Sequence, residues 1–428
     1  MPGNEFDVLV AGCGPGGSSA ATFLARENKR VLALEKEIFP RFHIGESLLP
    51  SNHSLFREMG VLPKLQEAGF LRKRGAIFEL SNGSLGTHII FGQGTFNRET
   101  EAFHVERSRF DHLLLKHARD SGAEVREGWS VQRFTTDATG VNVEARSPDN
   151  QVHSFRSKFL IDASGRGNFS GNIEGLRVIH PRHRKVAIFG HFANLRLPAL
   201  QDRLDTIIVR LSNKWFWIIP LSAEKTSVGL VIDQEELRRS KKTPEEAFHY
   251  WVEDSAMVKE RMRDARPVNA IQTASDFSYY NRRLVGDRVL RVGDAAGFMD
   301  PIFSAGVFLA MWSGKTAAET VIQSLQSGTA GGPLFAKYER RVRRGLRFYW
   351  RVVENYYTSP FMELFLRPPP PGHRLDIASA VIAVLAGEVE GTWAVRWRME
   401  LFFWLVKIQS LWPIAPRISF APKPWTTG

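Results

Sequence analysis

The stretch Asp7-Val8-Leu9-Val10-Ala11-Gly12-Cys13-Gly14-Pro15-Gly16-Gly17, followed by Arg30-Val31-Leu32-Ala33-Leu34-Glu35, sets the architecture. Asp7–Ala11 is a short apolar run ended by glycines and reads as a buried parallel strand. Ser18–Glu27, rich in Ala and Leu, reads as a helix, and Arg30–Glu35 as a second strand. This is the βαβ opening of a doubly wound α/β sheet. Gly12, Gly14 and Gly17 allow a tight turn and let the backbone approach a pyrophosphate at the helix N-terminus. Glu35 lies 18 residues past Gly17, at the end of the second strand, where it can accept hydrogen bonds from ribose hydroxyls. A bare glycine turn is common. The strand before it, the helix after it and Glu35 make dinucleotide binding the reading here.

Further along the chain, Leu71–Phe96 shows β-like alternation with several glycines, and Arg109–Ser121 an amphipathic helix. Phe159–Ala163 is another buried strand, Val186–Val231 is mostly strand-like, and Arg288–Val292 is a last short strand. A helix is expected over Val307–Ser324, then a loop, Ser327–Pro333, and a basic helix, Tyr338–Tyr357. Pro368–Pro371 is a hard break before a final, unusually apolar helix, Ala394–Leu411.

The chain has 428 residues, enough for two to three domains of about 150 residues each. Its 43% hydrophobic and 24% charged content is that of a globular protein and excludes a disordered or fibrous one. Cys13 is the single cysteine, which excludes an intrachain disulfide and a Cys-rich zinc site; no metal site is expected. The N-terminus lacks a basic stretch followed by a long apolar run, so no signal peptide is expected. No uncharged apolar stretch is long enough to span a bilayer, and a cytoplasmic location is the expectation. The formal net charge of +12 suits an acidic partner or an anionic membrane. Nucleic-acid binding has no motif behind it, only charge.

Two further segments favour a flavin. Asp162-Ala163-Ser164-Gly165-Arg166 ends one strand; Gly293-Asp294-Ala295-Ala296-Gly297 ends another and leads into a helix. In a flavoprotein Asp294 can hold a ribityl hydroxyl, with the helix N-terminus facing the flavin's electron-rich edge. The plainer reading of Asp294 is an N-cap. A second dinucleotide fingerprint is absent, so NAD(P)H binds transiently or reduced flavin arrives from elsewhere.

The combination of Pro40-Arg41-Phe42-His43-Ile44-Gly45-Glu46-Ser47-Leu48-Leu49-Pro50, Trp215-Phe216-Trp217-Ile218-Ile219-Pro220 and Asp300-Pro301-Ile302-Phe303-Ser304-Ala305-Gly306-Val307 resembles the flavin-dependent halogenases. These belong to the wider fold of aromatic hydroxylases and geranylgeranyl reductases. The resemblance covers about residues 5–325. It implies a discontinuous FAD-binding Rossmann-like domain (1–75, 100–175 and 280–330). It also implies an inserted antiparallel-sheet substrate domain (76–99 and 176–279) and a mainly helical C-terminal extension (331–428).

The resemblance assigns Arg41, Glu46, Ser47, Arg107, Gly306 and Val307 to FAD binding, and places a halide near the Ala305 and Gly306 amides. Trp215 and Trp217 alternate on a strand and share one face, as core residues do. In the family they lie on the route from flavin to substrate and block direct reaction at the flavin. Lys73, in Lys73-Arg74-Gly75-Ala76, matches the family lysine, which receives hypohalous acid made from halide, O2 and reduced FAD and passes halogen to an aromatic carbon. The competing reading is a solvated lysine within Arg72-Lys73-Arg74.

Phe303 stands where tryptophan halogenases carry a glutamate, which points away from free tryptophan toward phenols or pyrroles, including those tethered to a carrier protein. Ala305 replaces a common Ser or Thr and removes a hydroxyl contact to halide. With the apolar tail, it favours the alternative of an FAD-dependent monooxygenase or reductase without halide chemistry. A non-catalytic flavin-binding accessory protein is a third reading. The implied partners are a flavin reductase and an acidic acyl or peptidyl carrier protein. The carrier would dock on Arg340, Arg341, Arg343, Arg344 and Arg347, unless these form a solvated face. Trp393–Trp412, with Arg396, Arg398 and Lys407, either caps the pocket and packs into core or makes a peripheral membrane contact.

Overall fold

A computed structural model describes residues 5–181, 183–198, 204–275 and 278–420. The residues that carried the signal-peptide expectation, 1–4, lie outside this set. The βαβ opening forms as β1 (Glu5–Ala11), α1 (Pro15–Arg26) and β2 (Val31–Glu35). β1 is central in its sheet, pairing in parallel with β2 on one side and with Val152–Asp162 on the other. The order runs Val285–Gly286, Val289–Arg291, Val152–Asp162, β1, β2, Glu124–Glu127. Pro15 starts α1, where a missing N–H costs nothing.

The strand expected at Phe159–Ala163 is longer, Val152–Asp162, because its polar first half pairs with Val141–Arg146 in an antiparallel meander. The alternating polar residues of that half face solvent, so no apolar run announces it. The short helices between Gln234 and Met262, and Ile377–Leu385, also had no forecast.

Gly75–Leu80 and Gly86–Ile90 join the second sheet, whose other strands come from residues 185–275. Within it Gly75–Leu80 pairs in parallel with Thr206–Arg210, and Trp215–Pro220 lies antiparallel between Thr206–Arg210 and Thr226–Asp233. Alternation then sorts the side chains. Phe216, Ile218, Val228 and Leu230 pack beneath the helix Pro244–Asp254. Trp215, Trp217, Ile219 and Val231 face the C-terminal helices. Gly229 lies opposite Trp217, where a Cβ would stand 2.1 Å from the indole.

The C-terminal region is helical. The helix Gly306–Ser327 packs on α1, and the basic helix begins at Pro333 rather than Tyr338, with proline in the first turn. Three of its six arginines are spent internally: Arg341 on Glu390, Arg343 on Glu339 and Arg351 on Glu400. The terminal helix, Trp393–Leu411, buries Val395, Met399, Phe402, Phe403 and Val406 in the core beneath the two tryptophans. Among the described residues no helix is long and apolar enough to cross a membrane.

Candidate active site

A cavity of about 580 Å³ runs between the two sheets. At one end it is lined by Gly12, Gly14, Pro15, Gly16, Glu35 and Arg41. Gly12 sits at φ +99°, where a Cβ would stand 2.5 Å from the Ala163 carbonyl oxygen. Gly17 does not line the cavity; a Cβ there would stand 1.9 Å from the Gly12 carbonyl oxygen, so its role is to let α1 close onto the turn. Arg41 Nη2 lies 3.5 Å from where a Gly14 Cβ would be, which brings a guanidinium to the open turn. The Glu35 carboxylate accepts from the Cys13 amide at 2.7 Å and the Glu37 amide at 3.0 Å. That fixes the carboxylate at the rim with lone pairs left for ribose hydroxyls.

Arg107 and Arg41 share one counter-ion. Asp111 accepts from Arg107 Nε and Nη2 at 2.7 and 2.8 Å, and from Arg41 Nη1 at 2.7 Å. Burial pushes the Asp111 carboxyl up, but the Arg107 guanidinium overrides it and holds the group below the ordinary carboxylate range. Arg107 Nη1 donates to the Ile44 carbonyl at 2.6 Å, tying the loop before Glu46 to the wall.

Glu46 Oε1 accepts from His191 Nε2 at 2.8 Å, and Asn269 Nδ2 bonds His191 Nδ1 at 3.0 Å. Glu46 Oε2 is buried, belongs to a residue lining the cavity, and has no hydrogen-bond partner among the described residues. A buried acceptor left open fits a bound donor. Asp294 also lines the cavity, and burial raises its carboxyl to about 6. Gly306 and Val307 line the wall where the long helix begins, with no side chain capping that end. Its free amides suit an anion or the electron-rich edge of a flavin. Ala305 lines a small adjoining cavity instead. The guanidinium at the glycine turn, the Glu35 carboxylate, Asp294 and the open Glu46 oxygen are groups that would suit FAD along this cavity.

Trp215 and Trp217 both line the cavity, with ring centroids 5.9 Å apart. Trp217 Nε1 donates to Ser227 Oγ at 3.0 Å. Trp215 Nε1 donates to Tyr357 Oη at 2.8 Å, and Tyr357 donates to Asp300 Oδ2 at 2.7 Å. Replacing Tyr357 by Phe strands an indole N–H and a buried carboxylate oxygen. We expect a loss of about 1–3 kcal/mol in denaturant unfolding, with FAD still bound.

Lys73 is buried, 2% exposed, which overturns the solvated reading. It does not line the cavity. Its Nζ donates to Ser47 Oγ at 3.0 Å and to the Leu48 carbonyl at 3.1 Å, and lies over the Phe91 ring at 5.4 Å from the centroid. Ser47 Oγ in turn bonds Thr206 Oγ1 at 2.8 Å, and both hydroxyl residues line the cavity. The amine is therefore one layer of hydroxyls behind the wall. Burial lowers its pKa from 10.5 to about 7, opposed by the Asp205 charge. His191, Asn269, Thr206 and Tyr357 had no sequence signal: each is a single polar residue on an apolar strand, a loop or a helix end.

The comparisons agree with this geometry. A family model described as "FAD binding domain" matches residues 5–355. The 1H-pyrrole-2-carbonyl-[peptidyl-carrier protein] chlorinase of Pseudomonas fluorescens is 31% identical over 414 residues, covering 91% of this chain and 90% of that one. The 1H-pyrrole-2-carbonyl-[peptidyl-carrier protein] brominase of Pseudoalteromonas luteoviolacea is 33% identical over 390 residues, covering 90% and 92%. The solved structure of the flavin-dependent brominase Bmp2 superposes with a TM-score of 0.83 at 28% identity, covering 95% of this chain and 100% of that one. With the family model matched over most of its length and these relatives covered almost end to end, the chain belongs to the flavin-dependent halogenases.

Proposed function

We propose that this enzyme halogenates an activated aromatic, a pyrrole or phenol presented on a carrier protein, with Lys73 delivering the halogen. The observation that carries the reading is the buried Lys73 amine, joined through Ser47 and Thr206 to the cavity wall. Reduced FAD from a separate flavin reductase, when bound, would with O2 and halide supply hypohalous acid. The amides of Ala305 and Gly306, where the long helix begins, hold the halide. Trp215 and Trp217 wall the cavity and keep the aromatic substrate from the flavin. The neutral Lys73 amine attacks the halogen of hypohalous acid, forming N–X and releasing water. The aromatic carbon then takes the halogen, and its ring proton returns to the amine. The same amine, as an ammonium, would instead hold the acid by hydrogen bond. Phe303, buried against Tyr356 and Phe78, puts an apolar wall where a carboxylate would recognise a free amino acid.

The test is turnover of a pyrrole-2-carbonyl carrier protein with reduced FAD, O2 and chloride or bromide, read as a halogen mass shift. A rate indifferent to halide overturns the proposal. The pH profile separates the two roles of Lys73. With its pKa near 7, the neutral amine grows above that pH, so the haloamine route rises through about pH 7 and levels off. A rate that falls over this window assigns the work to the ammonium. Stability has its own sign. From pH 7 to 10.5 the unfolded lysine holds a proton that the folded one has lost, so unfolding free energy rises with pH across that window.

A further inference from the structure

The terminal helix Trp393–Leu411 buries one side and turns several large apolar residues outward among charged ones. At 100° per residue, Trp393, Trp397, Trp404 and Leu411 fall along one outer line, which the exposed Glu400 and Lys407 also border. Trp393 is 79% exposed, Trp404 58% and Leu411 78%, and the line continues into Trp412 at 75% and Ile414 at 51%. Trp397 is half-buried beside Trp393, with ring centroids 6.2 Å apart. A surface helix ordinarily turns a polar face to water. An exposed row of indoles marks a contact surface.

The basic helix Pro333–Tyr356 lies beside it. Lys337, Arg340, Arg344 and Arg347 recur at three- and four-residue spacing on its outer face. All four are exposed, and among the described residues none has a carboxylate partner. Arg351 extends the same face and joins the two helices, bonding Glu400 and lying 4.0 Å over the Phe403 ring. The nearby acids are largely committed: Glu400 to Arg351, Glu390 to Arg341, and Glu354 beside His180 at 3.8 Å. The result is an aromatic row bordered by uncompensated positive charge.

We propose that this surface seats peripherally on an anionic lipid bilayer, with the Trp393–Ile414 row in the interfacial layer and the Lys337–Arg347 row over the headgroups. Indoles carry an apolar body and one N–H, and settle at headgroup depth. Arginines and lysines beside them meet negative headgroups. A second copy of the chain would bring the same cations to the interface and set them against their like. The helix is too charged to span the bilayer, so the contact is in the plane of the surface.

The experiment uses the full FAD-loaded chain with vesicles of phosphatidylcholine alone or mixed with equal phosphatidylglycerol. The expected result is co-sedimentation with the anionic vesicles only, weakened by salt, with quenching of tryptophan fluorescence by lipids brominated in the acyl chains. Arg340→Gln, Arg344→Gln and Arg347→Gln together should cut anionic partitioning by about a hundredfold, at about fivefold per charge. Trp393→Ser with Trp404→Ser should weaken both vesicle partitioning and bromolipid quenching, leaving Trp397 and Trp412 as the remaining quenched indoles, while FAD stays bound. Three results overturn the proposal: no partitioning of the unmodified chain, a dimer that the tryptophan substitutions dissociate, or binding of an acidic carrier protein that both variants lose while vesicle binding stays unchanged. Bromolipid quenching is read on the unmodified chain and needs no substitution, so it decides the matter even where a variant misfolds.

Discussion

Lys73→Met leaves FAD bound and lowers halogenation by about a thousandfold, the scale of losing a group that acts directly on the reacting atom. Methionine keeps the length of the side chain in a buried site. The substitution takes a donor from Ser47 Oγ and the Leu48 carbonyl, which costs about 1–3 kcal/mol. It also removes an amine whose protonated form burial disfavours, and that gain offsets part of the loss. The fold should persist, so thermal unfolding and bound-flavin absorbance serve as controls. Product formation at the unmodified rate removes Lys73 from the mechanism. The same variant should erase the rise in unfolding free energy between pH 7 and 10.5, a readout that turnover does not touch.

Gly17→Ala is expected to be the most damaging single methyl in the chain. Its Cβ would stand 1.9 Å from the Gly12 carbonyl oxygen, a backbone atom inside the turn that receives the cofactor. Neither partner can rotate away, so α1 must lift from β1. We expect a loss of about 3 kcal/mol or more and failure to retain FAD, measured by thermal unfolding and flavin absorbance after desalting. Gly165→Ala is the comparison. Unlike Gly17, which lies within α1, it sits at positive φ, +63°, and nothing stands within 4 Å of the added methyl. That change should cost about 1–2 kcal/mol in backbone strain and leave the turn intact. Equal effects of the two substitutions would show that the close approach at Gly17 does not govern the turn.

Much of the site was legible in the chain because its rules are local. A glycine turn between a strand and a helix, and an acid at the end of the next strand, follow from backbone geometry within 35 residues. The shared face of Trp215 and Trp217 follows from the two-residue period of a strand. The strand beginning at Val152 escaped because half of it is polar, and the helix Ile377–Leu385 because its apolar run has no period against which to set it. The arginine face was legible as a charge row, but not that Glu339 and Glu390 would take two of its members.

By itself, then, the sequence determined the glycine turn, the acid at the end of the next strand and the tryptophan pair, since φ, period and spacing act over a few residues. Tertiary packing determined the electrostatics. Ser47 meets Thr206 across 159 residues, and Glu46 meets His191 across 145. Lys73 sits in a run with two arginines, and only the closing of one sheet over another shows it to be dry while Arg72 and Arg74 stay in water. Desolvation depends on every atom that surrounds a group, and no local pattern encodes that environment.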